Sequence, residues 1–415
     1  MVQTTGQPAA RAALGAAYWR VWWANAVSSV GDGAFVSALP LLAVTVTGDP
    51  RLISLVSAAF FVPWLLLSLP AGALVDRCDR ATLMWRAQAV QGVIVAVIAV
   101  LAALGAADIG LLIGAGFCLG AAEVVFSNAA QAVLPQLVPA DQLPRANGHL
   151  QVSLTSGETF LGPPLGSLLF AVARALPFGL DAGSFTGSAL LLFGLPRQAR
   201  AEAAGGGLGA RIAEGLRWLF RHRLLRVVAV LLGVMGFCSQ MGQAVLVLLA
   251  TQTLHVGARG YGLLWTASAV GSILGGLANP VLTRWFGQLP SLIIAMAAEA
   301  AVFVGIGLAP NAYVAGLMMA ANGFVVTMWN VVTVSLRQRI VPAGLLGRVN
   351  SVYRMLGWGL MPLGAAAGGF VAHAGGLRAP YTIGGIVCAL ALVAALPVLL
   401  RSGRVAAGGR QQRSH

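Results

Sequence analysis

The segment VPADQLPRANG, residues 138–148, returns as VPAGLLGRVNS at 341–351. Val, Pro, Ala, Leu, Arg and Asn recur at a constant offset of 203 residues. A weaker echo sits at nearly the same spacing: GALVDRCDR begins at Gly72 and GLANPVLTR at Gly276. Two echoes at equivalent places mark a duplicated unit. The 415-residue chain has room for two copies and little else.

Each copy is too apolar for water. The chain is 58% hydrophobic and 9% charged, against roughly 25% charged residues in soluble domains. Apolar runs bounded by Gly, Pro, Arg or Asp fall at 18–46, 52–75, 82–105, 109–137, 146–172, 177–196, 224–253, 260–283, 289–308, 312–336, 347–373 and 380–400. Most approach or exceed the about 20 residues that cross a bilayer as a helix. The longest can tilt. Helices are expected because a lipid-exposed backbone must bond to itself. The expected fold is an all-α membrane protein with twelve transmembrane helices in two pseudo-symmetric six-helix halves.

Charge sets the orientation. The net charge is +14, from 26 basic and 12 acidic residues, and every basic residue is Arg. With both termini in the cytoplasm, only Arg51, Arg174, Arg259 and Arg378 fall outside the cytoplasmic tails, loops and helix ends. The other 22 obey the positive-inside rule, and one missed helix would scramble that pattern. The same rule accounts for the basic balance without nucleic acid. The expected setting is a membrane crossed many times, with both termini cytoplasmic.

The organisation reads as a cytoplasmic tail (1–17), a first half (18–196), a central cytoplasmic loop (197–223), a second half (224–400) and a second cytoplasmic tail (401–415). The central loop opens Gly-rich. It then places Ile212, Leu216, Leu219 and Phe220 at helical spacing, away from Arg211, Arg217 and Arg221. That pattern suggests an amphipathic helix on the inner membrane surface. The N-terminus does not read as a cleavable signal, because its first apolar run is too long. Cys78, Cys118, Cys238 and Cys388 are widely spaced and read as unpaired.

The whole pattern resembles the major facilitator superfamily. The loop between spans 2 and 3 carries Gly72, Leu74, Asp76, Arg77 and Arg80 in the places of its G-x-L-x-D-R-x-G-R motif, with Asp79 where Gly is usual. Span 5 is similar to the antiporter motif ending G-P-x-x-G-G: it has Gly157, Gly162, Pro163, Pro164 and Gly166, with Ser167 as the last member. The DRxDR variant, the VPxxxLxxAN loop and the GP segment resemble the subgroup exporting macrolides, enterobactin-type siderophores and mixed drugs. An Arg within helix 4, present in many proton-coupled drug exporters, has no counterpart in span 4.

That resemblance implies export of a hydrophobic or amphipathic small molecule by proton antiport and alternating access, by a monomer without cofactor or metal. It also implies a conformational latch at Gly72, Asp76, Arg77, Asp79 and Arg80. Asp76 would sit before span 3, where a helix N-terminus favours negative charge. A bend in span 5 is expected at Gly157, Gly162, Pro163 and Gly166, where Pro removes a backbone bond and Gly permits close sliding contact.

Four acids lie near the middle of apolar spans: Asp32, Glu123, Glu158 and Glu299. An ionised group there is costly, so it faces a polar cavity, finds a partner or holds a proton. Asp32, Glu123 and Glu158 are the candidate proton-coupling residues. Glu299 is expected to be structural, because the resemblance places helices 3, 6, 9 and 12 outside the cavity. Candidate cargo contacts are Asn128 and Gln131 in span 4, Gln240 and Gln243 in span 7, and Asn322, Trp329 and Asn330 in span 10. Each amide is equally able to serve as glue between helices. An importer or facilitator on the same fold is the alternative reading. An enzyme or ATP-driven pump is disfavoured, since neither HExxH nor GxxxxGK[ST] occurs.

Overall fold

The computed structural model describes residues 14–139, 141–195 and 208–411. Among these residues every regular element is helical. The first four helices are α1 (Ala16–Val46), α2 (Pro50–Arg77), α3 (Arg80–Leu104) and α4 (Ile109–Leu137). Span 5 is continuous but composite: α5 (Leu143–Thr155), a π-helical turn (Ser156–Leu161) and α6 (Gly162–Val172). Then comes α7 (Leu176–Leu192). In the long connection lies α8 (Leu208–Arg221). The second half holds α9 (Arg223–Leu248) with a terminal π-helical turn (Leu249–Thr253), α10 (Ala258–Phe286), α11 (Gln288–Leu308) and α12 (Ala312–Ile340). Span 11 is again composite, α13 (Ala343–Gly359) plus α14 (Met361–Gly375), and α15 (Ala379–Gln411) closes the chain.

Ten spans are long and apolar enough to cross a membrane. The composite span 5 and the 17-residue α7 complete the twelve. Several boundaries are fixed by side-chain caps. Asp49, Asp79, Asp108 and Asn311 each accept a backbone N–H in the first turn of α2, α3, α4 and α12. These residues satisfy donors that a helix start leaves open. Asp49 also pairs with Arg51 at 2.8 Å. Hydrogen bonds from Arg51 hold its carboxyl below the usual aspartate range.

The halves repeat one packing scheme. In the first, α1 packs on α7 and span 5, α2 on α4, and α3 on α7 and α4. In the second, α9 packs on α15 and span 11, α10 on α12, and α11 on α15 and α12. Even single bonds repeat. The Tyr18 hydroxyl donates to the Ala146 carbonyl across spans 1 and 5, at 3.0 Å. The Tyr353 hydroxyl donates to the Leu225 carbonyl across spans 11 and 7. Both pairs are 128 residues apart, with the donor exchanged between partners.

Small residues set how closely these helices approach. Gly33 and Gly162 meet backbone to backbone, and Gly166 lies against the Ala34 carbonyl. In the second half, Gly364 and Gly368 press on the carbonyls of Phe237 and Met241. A Cβ at any of these positions would collide with main chain, which cannot swing aside.

The halves meet along two seams, α2 with span 11 and span 5 with α10. Both seams are unequal along their length. α2 packs extensively on α14 and only lightly on α13, while α10 packs on α6 and touches the π turn. Gly369 is pressed on Pro50 and Ser54, and Gly262 on Pro164 and Ser167. The tight contacts therefore lie at the face opposite the termini. Toward the termini the halves part.

The central connection places Leu219 inside, while Phe220, Arg217 and Arg221 are exposed. Residues 197–207 of the expected loop, and the side chains of Arg211 and Ile212, lie outside the description. Cys78 and Cys118 are exposed, and Cys238 and Cys388 are buried between α9 and α15 as free thiols.

Candidate functional site

Four carboxyl groups converge in the first half. Asp32 from α1, Glu123 from α4, Glu158 from the π turn and Asp181 from α7 line one cavity of about 290 Å³. Asp181, Glu123 and Glu158 are all electrostatic neighbours of Asp32. Gln91 of α3 donates to Glu123 Oε2 at 3.1 Å, and Ser184 donates to Asp181 Oδ1 at 3.2 Å. The opposite carboxyl oxygen of Asp181 is buried without a hydrogen-bond partner among the described residues. Gly31 makes the approach possible: α7 presses Asp181 and Ser184 against it, beside Asp32.

The remaining wall is aromatic and aliphatic, including Phe35, Phe60, Phe61, Trp64 and Trp358. No basic residue lines this cavity among the described residues. Four ionised carboxylates facing one small space without a cation repel one another strongly.

Beyond Phe35, Phe60 and Phe61 lies a second space of about 170 Å³, between the halves, carrying Gln240, Gln243, Tyr261 and Trp265. Trp358 connects the acid cavity to a third space of about 500 Å³ in the second half. There Trp329, Asn330, Tyr353, Arg337 and Glu299 share the wall. Trp64 of α2 and Trp358 of α13 meet edge to face at 4.4 Å, so an aromatic pair stands between the halves at the junction.

The other expected residues have different settings. Asn128 donates to the Val124 carbonyl of its own helix at 2.7 Å. Gln131 is exposed and donates to Ser127 at 3.3 Å. Asn322 donates to Glu299 Oε1 at 3.3 Å, tying α12 to α11. Gly157, Gly162 and Gly166 form the seam with α1, and Ser37 donates to the Pro163 carbonyl at 2.8 Å. In the loop after α2, Asp79 takes the helix start expected for Asp76: it accepts from the Thr82 amide at 2.9 Å. Arg80 donates to the Ala132 carbonyl at the end of α4, at 2.9 Å. Gly72 and Arg77 fall in the last turns of α2, and the Asp76 side chain lies outside the description.

Sequence reasoning missed Asp181, Gln91 and Arg337. Asp181 and Gln91 carried a readable signal, a polar or charged side chain in an apolar span, whereas Arg337 falls one residue past span 10 and reads as one more cytoplasmic arginine. Asp181 sits only five residues into span 6, away from its middle. Gln91 lies on span 3, one of the helices expected outside the cavity. Glu299, on span 9 and only 2% exposed, likewise borders the large cavity. Helices 3, 6 and 9 thus each send one polar group inward.

Twelve helices in paired halves around a polar midplane define a multi-pass transporter of the major facilitator fold, not an enzyme. The chain belongs to the transmembrane secretion effector family of that superfamily, whose pattern matches residues 10–412. It is 29% identical over 391 residues to an uncharacterized MFS-type transporter of Mycobacterium tuberculosis, covering 82% of this chain and 81% of that protein. It is 26% identical over 398 residues to the multidrug efflux pump Tap of Mycolicibacterium fortuitum, covering 92% of each. Its fold is similar to that of a bacterial homologue of the iron transporter ferroportin in an inward-facing state. That likeness has a TM-score of 0.71 at 15% identity and covers 94% of this chain and 99% of the other.

Proposed function

We propose that the protein is a proton-coupled exporter of hydrophobic or amphipathic small molecules such as drugs, macrolides or siderophores. It sits in a bacterial inner membrane as a monomer, with both termini in the cytoplasm. The observation that carries this reading is the four-carboxyl cavity of Asp32, Glu123, Glu158 and Asp181. The pump Tap, a relative over most of the chain, supports efflux rather than uptake.

In this reading the splayed side faces the cytoplasm. Cargo enters there and lodges among Trp329, Asn330, Gln240 and Gln243. Protons arriving from outside load the acid cluster, remove its internal repulsion and permit the halves to rock. The span-5 seam at Gly157, Gly162, Pro163 and Gly166 is the bending element. The π turn beside Pro163 and Pro164 supports that role, since both features loosen the regular backbone ladder.

Gly72, Asp76, Arg77, Asp79 and Arg80 form the latch on the cytoplasmic side. The tie from Arg80 to α4 supports it, because it makes the loop move with the first half. Everted membrane vesicles bearing a pH gradient test the coupling. Asp32→Asn and Glu123→Gln are each expected to slow gradient-driven cargo uptake by about tenfold or more, equivalent to ~1.4 kcal/mol on the barrier. If both variants transport normally, the proton roles are wrong. Asp76→Asn is expected to reduce transport at unchanged membrane insertion, and normal transport would remove the latch.

A further inference from the structure

The large cavity of the second half carries a charge that the acid cluster does not balance. Arg337 lies in the last turn of α12, half-buried, with its side chain on the cavity wall. Its guanidinium stacks over the Tyr353 ring at 4.4 Å. The Tyr353 hydroxyl is in turn held by the Leu225 carbonyl. The guanidinium therefore rests on a ring that is itself held in place. Its Nε is buried without a hydrogen-bond partner among the described residues. A surface arginine placed only by membrane topology would be solvated. This one is half-buried against an aromatic ring, and its Nε is closed off from water without a partner among the described residues.

The acid of the same cavity is not its partner. Glu299 is engaged by Asn322, 15 residues before Arg337 on α12. At 1.5 Å per residue that is about 22 Å along the helix, too far for an ion pair. Glu299 marks the deep end and Arg337 the end toward the chain termini. Between them lie Trp329, Trp358 and Met361, an apolar and aromatic lining.

We propose that Arg337 is the binding subsite for an anionic group on the cargo, and that the cargo class includes amphiphiles carrying a carboxylate on an apolar body. The planar fork of a guanidinium matches a carboxylate with two parallel hydrogen bonds. The apolar body then lies along Trp329 and Trp358. This inference rests on the reading of that cavity as the cargo path. It adds the chemistry of one end of the cargo.

The test is equilibrium binding to the purified full-length protein in neutral detergent, without a proton gradient. The probes are dansyl-undecanoic acid and its methyl ester, followed by energy transfer from tryptophan to dansyl. The wild type is expected to bind the acid about tenfold more tightly than the ester, the ratio that about 1.4 kcal/mol supplies. Arg337→Gln is expected to erase that preference while keeping ester binding. Arg337→Lys is expected to restore part of it, since charge returns without the fork.

Equal binding of acid and ester by the wild type overturns the proposal, and so does failure to bind the acid. This comparison needs no variant, so it survives a misfolded Arg337→Gln. Loss of both probes in a correctly folded Arg337→Gln assigns the residue a structural role and also overturns it. Phosphatidylglycerol is added as competitor: displacement of the acid by equimolar lipid identifies a headgroup site and overturns the cargo assignment. Because no gradient is present, a failure of proton coupling leaves this result untouched.

Discussion

At the scale of single residues, most of the chemistry follows from the scarcity of charge. An ionisable side chain in an apolar span costs about 2.5–3.5 kcal/mol on insertion scales, so each one is a statement about its surroundings. That rule found Asp32, Glu123 and Glu158 in the sequence, and the cavity brings them together. It stopped short of Asp181 because nothing in a linear span tells which way a side chain near its end faces. The contact with Gly31 decides that, and it is a contact between α1 and α7. Asp181 is the least exposed of the four, at 1%. Asp181→Asn removes one negative charge from the cluster while keeping shape and the Ser184 contact. Transport is expected to shift its pH dependence while cargo binding persists. An unchanged pH profile in everted vesicles would show that Asp181 only packs.

Elements were legible where hydrophobic length and caps agree. The Asp79 cap starts α3, and the Gly-Pro segment opens α6 directly after the π turn. The π turns were not legible, because a one-residue excess in a helix leaves no periodic trace in an apolar sequence. Their reason lies in packing. Span 5 must bring Gly157, Gly162 and Gly166 onto one face of α1, and the wider turn keeps them in register across two prolines. The seam is main chain against main chain, so added volume has nowhere to go. Gly33→Val is expected to destabilise the first half by about 1–3 kcal/mol, the usual cost of overpacking. The same change at Gly179, where nothing lies within 4 Å, is expected to cost less. Thermal unfolding in detergent distinguishes the two, and equal melting temperatures would mean that the seam yields.

At the scale of the whole molecule, the duplication was the most informative feature of the sequence, because it divides the twelve apolar runs into two equivalent halves. What duplication does not encode is which end of the interface closes. That depends on which short side chains meet across the seams. Here Gly369 with Ser54 and Gly262 with Ser167 close the face opposite the termini. The closed end is thus held by close contact rather than by charge, and steric bulk is the lever that opens it. Gly262→Trp combined with Gly369→Trp is expected to hold that face apart and to shift the population of states. A population moved from 1:99 to 99:1 requires about 5.5 kcal/mol, and two blocked seams supply a large part of that. Gln243→Cys reports the change, since Gln243 lines the small space between the halves. In intact cells, a membrane-impermeant maleimide is expected to label Cys at that position faster in the double-Trp background than with native glycines. Transport should fall at the same time, because a molecule that cannot close one side cannot alternate. Unchanged labelling with normal transport would mean that the halves close elsewhere.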